Sequence, residues 1–187
     1  MKKRSVFIGT ALLYLVMVFI GCATVMPAER LEAGANTAKV YFIMPESTVT
    51  VTGFGAVTLG TKFFLWDNDK FISNIGSRDY FVSNFEAGIH YFMATAGDNW
   101  YIVKADLAAG KSYYIRVLSR PGFRTATAVL ELIEPNNPEL PGFLEKSREI
   151  TPQGKAPKSM AEKAVKELEL SSSGQQNVDF IPADKGK

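Results

Sequence analysis

The sequence predicts a mainly β chain whose middle, residues 38–134, folds as an antiparallel β-sandwich. Three observations carry that expectation. Short runs rich in Val, Ile, Thr and aromatic residues alternate with polar positions, the period-two signature of strands with one buried face. Turn residues punctuate these runs at Asp67-Asn68-Asp69, Gly76, Ala87-Gly88, Gly97-Asp98, Ala109-Gly110 and Pro121-Gly122. No helical period interrupts the region, which leaves a sandwich or barrel as the architecture for that length.

In chain order, Lys39-Val40-Tyr41-Phe42-Ile43-Met44 reads as a strand stopped by Pro45, because proline cannot donate to a sheet ladder. Thr48-Val49-Thr50-Val51-Thr52 alternates strictly, turns at Gly53-Phe54-Gly55 and returns through Val57 and Leu59 to Trp66, a predicted hairpin. Further strands are expected at Phe71–Ile75, Asp79–Ser83, Ile89–Thr95, Asn99–Lys104, Ser112–Leu118 and Phe123–Ile133. Pro135, Pro138, Pro141 and Gly142 end the β region and open a C-terminal extension, residues 135–187. Within it, Phe143–Ile150 is expected as a short helix and 159–170 as a better one. Ser159 and Glu162 have capping-box spacing there, and Ala161, Ala164, Val165 and Leu168 share a face. From Ser171 the composition predicts a disordered tail, relieved by the apolar stretch Val178–Ile181.

The N-terminus has a different texture. Lys2-Lys3-Arg4 precedes an apolar run from Val6 to Ile20 that closes at Gly21-Cys22, the sole cysteine of the chain. A run of roughly 15 residues falls short of the ~20 that cross a bilayer, and the basic, apolar, small-residue order is that of a secretory signal. Its Gly-Cys ending resembles the lipobox of bacterial lipoproteins, although Phe19 stands where leucine is usual. The resemblance implies a signal peptide over residues 1–21, a diacylglycerol thioether on Cys22 and acylation of the new amino group. Ala23, not aspartate, then implies the outer membrane, facing the periplasm. Residues 22–37 are small and polar, and read as a flexible tether. Loss of the three signal cations takes the net charge from +2 to −1, which is no electrostatic footprint for nucleic acid. With Cys22 lipidated no thiol remains for a disulfide, so an apolar core must hold the domain.

Lys39-Val40-Tyr41-Phe42, Asp79-Tyr80-Phe81 with Glu86-Ala87-Gly88-Ile89-His90, and Ala109-Gly110-Lys111-Ser112-Tyr113-Tyr114-Ile115 resemble successive segments of a bacterial lipoprotein family, catalogued as domain of unknown function 2846. The likeness runs from Ala38 to Leu118. It departs at Asp67-Asn68-Asp69 and at Glu86-Ala87, both turn positions. It implies a small sandwich of the PEGA-like or carboxypeptidase-regulatory-like kind, and no activity. Independently, Leu107-Ala108-Ala109-Gly110-Lys111-Ser112-Tyr113 has the spacing of a tyrosine corner in an Ig-like, Greek-key sandwich. There Gly110 takes φ > 0 and the Tyr113 hydroxyl returns to the backbone.

Aromatic doublets recur at Tyr41-Phe42, Phe63-Phe64, Tyr80-Phe81, Tyr91-Phe92, Trp100-Tyr101 and Tyr113-Tyr114. Neighbours on a strand face opposite ways, so one ring of each pair should look outward. Grouping Tyr113, Ile115 and Val117 as core leaves Tyr114 and Arg116 outside. Grouping Ile89, Tyr91 and Met93 as core leaves His90 and Phe92 outside. Tyr114, Arg116, His90 and Phe92 thus form a candidate binding face for a glycan, peptide or protein partner, unless the C-terminal segment covers it. The catalytic inventory is short. His90 is the sole histidine, Asp67-Asn68-Asp69 reads as a turn, no metal-ligand spacing occurs and no glycine-rich phosphate loop is present. The sequence therefore favours a non-enzymic module without cofactor, anchored to a membrane and engaging an envelope protein. Glycan or peptidoglycan binding is the alternative, and a hydrolase the least favoured reading.

Overall fold

Strand β1 (Thr37–Met44) leads the described chain and ends in the middle of a sheet. The computed structural model describes residues 34–46, 48–51, 55–58, 62–97, 99–120, 126–176 and 178–187, with backbone alone for 48–51 and 55–58. The expected signal peptide, Cys22 and the expected tether up to Ala33 lie outside these residues, as does the expected turn at Pro121-Gly122. After β1 come β2 (Thr48–Val51), β3 (Gly55–Thr58), β4 (Phe63–Asp67), β5 (Lys70–Ile75), β6 (Asp79–Glu86) and β7 (Gly88–Thr95). They are followed by β8 (Trp100–Leu107), β9 (Ser112–Arg120) and β10 (Thr127–Ile133). The extension adds helix α1 (Leu140–Lys146), β11 (Arg148–Glu149), helix α2 (Lys158–Ser172), β12 (Asp179–Ile181) and a 3-10 turn at Ala183–Lys185.

Two five-stranded sheets form, in the orders β10-β9-β1-β6-β11 and β12-β8-β7-β4-β5, while β2 and β3 pair apart from both. The chain is thus the mainly β sandwich expected, with one change: its sheets are mixed, not purely antiparallel. β1 runs parallel to β9, with Lys39 opposite Ser112, and β11 and β12 lie parallel to β6 and β8. Parallel neighbours require long crossovers. Here β1 meets a strand from the far end of the domain, and the extension lays two short strands along sheet edges. The return of the first hairpin also splits. β3 closes on β2, and β4 crosses into the second sheet to pair with β5 and β7.

Between the sheets, Val40, Phe42 and Met44 of β1 meet Phe63, Leu65, Ile75, Phe81, Phe92, Val103 and Ile115, all essentially buried. Phe42 stacks on Phe81 at 5.1 Å and meets the edge of Phe92 at 5.2 Å. Such ring pairs add roughly 0.5–1.5 kcal/mol beyond their area.

The outer faces are also apolar, and the extension covers both. On the first sheet, Ile43 and Ile133 are buried beneath Leu140 of α1, with Tyr41, Tyr80, Tyr114, Phe143 and Leu144 around them. On the second, Trp66, Met93 and Ile102 are buried against Ala164 of α2, with Met160, Ala161 and Leu168 beside it. α1 begins earlier than Phe143 because Pro141 fits a first helical turn, where no donor is missed. α2 starts at Lys158, behind Pro157 as N-cap, with no side-chain capping bond. Ser159 therefore sits inside the first turn instead of capping it. The helix runs on to Ser172, and the stretch expected to be disordered continues as β12 and the 3-10 turn. Ile181 is buried there, and the Tyr101 hydroxyl bonds the Asp179 carboxylate. Burial and that carboxylate push the pKa of Tyr101 up to about 12.

Tyr113 ties the end of the chain to this body. Its ring is fully buried, and its hydroxyl accepts from the Ala108 N–H at 2.9 Å and donates to the Ala183 carbonyl at 2.9 Å. Gly110 takes φ +75° in the preceding turn. Gly186 lies flat on the ring: a Cβ there would stand 2.6 Å from Cζ of Tyr113. Ser112 and Lys187 then exchange backbone hydrogen bonds of 2.8 and 2.9 Å. Tyr113→Phe should cost about 1 kcal/mol or more by stranding these partners, read by denaturant unfolding. Gly186→Ala should cost about 1–3 kcal/mol through overpacking, and an unchanged melt would show that the tail does not need this contact.

Candidate binding cleft

The structure divides the four residues of the sequence-derived binding face. Tyr114 and Arg116 do look outward from the first sheet, but beneath α1. Tyr114 stacks on Tyr41 at 4.6 Å. Arg116 donates to Glu131 at 2.8 Å, and its guanidinium lies 5.6 Å from the centre of the Phe143 ring. His90 and Phe92 point the other way, into the sandwich. Phe92 is fully buried in the central cluster, whereas Ile89 of the supposed core set is 48% exposed. The inversion has a physical cause: α2 buries Met93 on the outer face, so both faces of β7 are apolar and alternation alone cannot orient it.

His90 is held there by polar contacts at both ring nitrogens. Nδ1 is 2.7 Å from the Asp67 carboxylate, and Nε2 is 2.8 Å from the Glu86 carbonyl oxygen. The ring lies nearly parallel to Phe92, with an interplanar angle of 14°. Phe85 packs edge-on, at 71°. Both nitrogens face acceptors, so the imidazolium, with two donors, satisfies the pocket best. Burial works against that charge, but Asp67 and the Glu86 carbonyl outweigh it and raise the pKa above 6.5. This is the architecture of a structural histidine, joining the β4–β5 turn to the β6–β7 corner.

Next to Phe143 the outer face opens into a cleft of about 470 Å³, lined by Pro45, Glu46, Arg78, Glu139, Phe143 and Lys146, with Gly142 and Ser147 completing it. Three segments build it. β1 ends at Met44 because Pro45 cannot continue the ladder, and this places Glu46 on the rim. The β5–β6 turn delivers Arg78 in the left-handed region, at φ +63°. Two backbone bonds hold it, from its N–H to Met44 at 2.9 Å and from the Arg148 N–H to its carbonyl at 2.7 Å. A non-glycine residue held left-handed costs of order 1 kcal/mol and persists where its surroundings impose it. Beside it, Asp79 accepts two bonds from the Arg148 guanidinium, at 2.7 and 3.1 Å, which fixes β11 along β6. α1 supplies the remaining wall.

The rim carries two acids, Glu46 and Glu139, and two bases, Arg78 and Lys146, around one aromatic wall. Arg78 and Glu46 form an ion pair, 61% and 46% exposed. Such a pair contributes at most about 1 kcal/mol and exchanges readily for a ligand's charges. The cleft suits a polar chain bearing both signs of charge. Sequence reading missed it entirely, since its residues come from three separated segments and none forms a motif. The left-handed Arg78 between Gly76 and Tyr80 read only as a turn. Among the described residues no group of three or more His, Cys, Asp or Glu is placed to hold a metal ion, and no helix is long and apolar enough to cross a membrane.

Compared with known proteins, the chain matches no family model, no curated protein and no solved structure.

The His90 contacts predict a pH dependence. The folded-state pKa lies above 6.5, so the contribution is complete below that value and lost as pH rises through the folded pKa. Unfolding free energy should fall as pH rises above about 6.5, and Asp67→Asn should flatten that slope. Identical slopes for both proteins in denaturant titrations would refute the assignment.

Proposed function

We propose that the chain is a lipid-anchored cell-envelope protein, held through acyl chains on Cys22 in the outer membrane and facing the periplasm. Its β-sandwich acts as a non-catalytic binding or structural module for another envelope protein. The likeness of Ala109–Ile115 and its companion segments to the lipoprotein family of unknown function belongs to the same reading.

One observation carries the binding role: the two ends of β1. The chain enters the domain at Thr37, beside Ala87 and Gly110, which bond Asn36 and Thr37. Seven residues later, roughly 23 Å along the strand, Met44 delivers Pro45 and Glu46 to the cleft. Within the domain, the entry of the chain at Thr37 and the cleft thus lie at opposite ends of β1. The glycan alternative has less support. Sugar sites use exposed ring platforms, whereas Trp66 is buried, Trp100 packs around the α2 contact and Tyr41 and Tyr114 lie under α1.

Two measurements test the reading. Cys22→Ser should abolish lipid labelling and release the protein from the membrane fraction. Processing and sedimentation like the wild type would disprove the anchor. A photo-crosslinking residue at Gly142, where a side chain meets open space, should capture one envelope protein in intact cells. That product should disappear with Arg78→Glu and be absent from position 166 on α2. Capture independent of Arg78, or equal from position 166, would remove the cleft from the role.

A further inference from the structure

Helix α1 turns one side toward the cleft. Glu139, Gly142, Phe143 and Lys146 all line it, and their spacing puts them on a single helical face. Glu139 is the N-cap and Lys146 the last residue of the helix, so the two lie about 10 Å apart along its axis. The face therefore carries an exposed acid at one end, an exposed base at the other, and a glycine and a ring between them. A Cβ on Gly142 would meet nothing within 4 Å, which leaves bare backbone open to an approaching chain.

The opposite wall adds its charges at one end only. The Arg148 N–H bonds the Arg78 carbonyl at 2.7 Å, two positions past Lys146, so Arg78 stands at the Lys146 end. The Arg78 N–H in turn bonds the Met44 carbonyl at 2.9 Å, and Glu46 pairs with the Arg78 guanidinium. Of the lining residues, two cations and one carboxylate thus gather at that end, while Glu139 marks the other. The parts are fixed in place: Arg78 by backbone bonds on both sides, and the Phe143 ring by the Arg116 guanidinium 5.6 Å from its centre.

The geometry points to an extended peptide as the occupant, with a carboxylate and a cationic side chain three residues apart, the carboxylate between Arg78 and Lys146 and the cation against Glu139. Three residues of extended chain span roughly 10 Å, the separation that α1 sets. Shorter zwitterions cannot reach both ends, and a polyanion or polycation would meet a like charge at one of them. The Phe143 ring receives an apolar residue between the two charges, and the exposed Arg78–Glu46 pair opens to take the carboxylate. This inference rests on the reading of the cleft as a partner site and names the part of the partner that enters it.

The test titrates the full chain, in detergent micelles, with blocked tetrapeptides of one composition and follows the Gly142 amide resonance. Acetyl-Asp-Leu-Ser-Lys-amide or its reverse, acetyl-Lys-Ser-Leu-Asp-amide, should bind roughly fivefold tighter than acetyl-Ser-Asp-Lys-Leu-amide, whose charges are adjacent. Two exposed ion pairs can supply that ratio. Glu139→Lys should erase the preference and make acetyl-Asp-Leu-Ser-Asp-amide the tightest ligand, a rescue that a damaged helix cannot give. Equal binding of the isomers, no shift at about 10 mM peptide, or an unchanged ranking with Glu139→Lys overturns the inference. The partner reading fails separately: a Gly142 crosslinker that captures nothing in cells, while the peptides keep their ranking, removes the envelope partner and leaves the ligand chemistry standing.

Discussion

Every face of both sheets carries large apolar side chains, and from that constraint the rest of the architecture follows. A two-sheet sandwich ordinarily buries its inner faces and leaves the outer ones to water. Here the outer faces carry Ile43, Tyr41 and Tyr114 on one side and Trp66, Met93 and Ile102 on the other. Exposing such side chains forfeits about 1.5–3 kcal/mol each relative to burying them. The extension is therefore a structural necessity. α1 closes one face, β11 finishes an edge, α2 closes the other face and β12 finishes a second edge, producing helix, sheet, sheet and helix in layers.

This consumption of aromatic surface shapes what the molecule can recognise. In the recurring doublets that look like a ledge, one ring enters the inter-sheet core and its neighbour, Phe64 excepted, packs in a helix–sheet layer. Among the described residues the wrapping leaves one open space at the Met44 end of β1, the mixed-charge cleft at Arg78 and Phe143. The opposite end, at Thr37, Gly110 and Lys187, is occupied by the incoming chain and the tail.

The strands were legible because glycine and paired-polar turns delimit them and because alternation survives wherever one face carries a marker. On β9, Arg116 is such a marker, and Tyr113, Ile115 and Val117 were placed inward correctly. On β7 no charge distinguishes the faces, so Ile89, Tyr91 and Met93 could not be told from His90, Phe92 and Ala94 without knowledge of α2. The capping-box spacing at Ser159 and Glu162 misled for a local reason, since Pro157 already ends the preceding segment and lets the helix begin at Lys158. The tail was judged by its polar average, in which the apolar stretch Val178–Ile181 stood out but the work of Gly186 was hidden. The cleft was invisible because it belongs to no segment. Only the fold brings Glu46, Arg78 and Lys146 together.

The position of β1 has a consequence for how the molecule assembles. In the second sheet, β4 with β5 and β7 with β8 are neighbours in the chain, so those pairings close short loops and form early. β1 instead waits for β6 and, beyond it, for a parallel partner as distant as Ser112. That loop-closure entropy is spent before any contact repays it. The first of the described strands is thus among the last to be enclosed, and until then Val40, Phe42 and Met44 stand open to any other extended chain nearby.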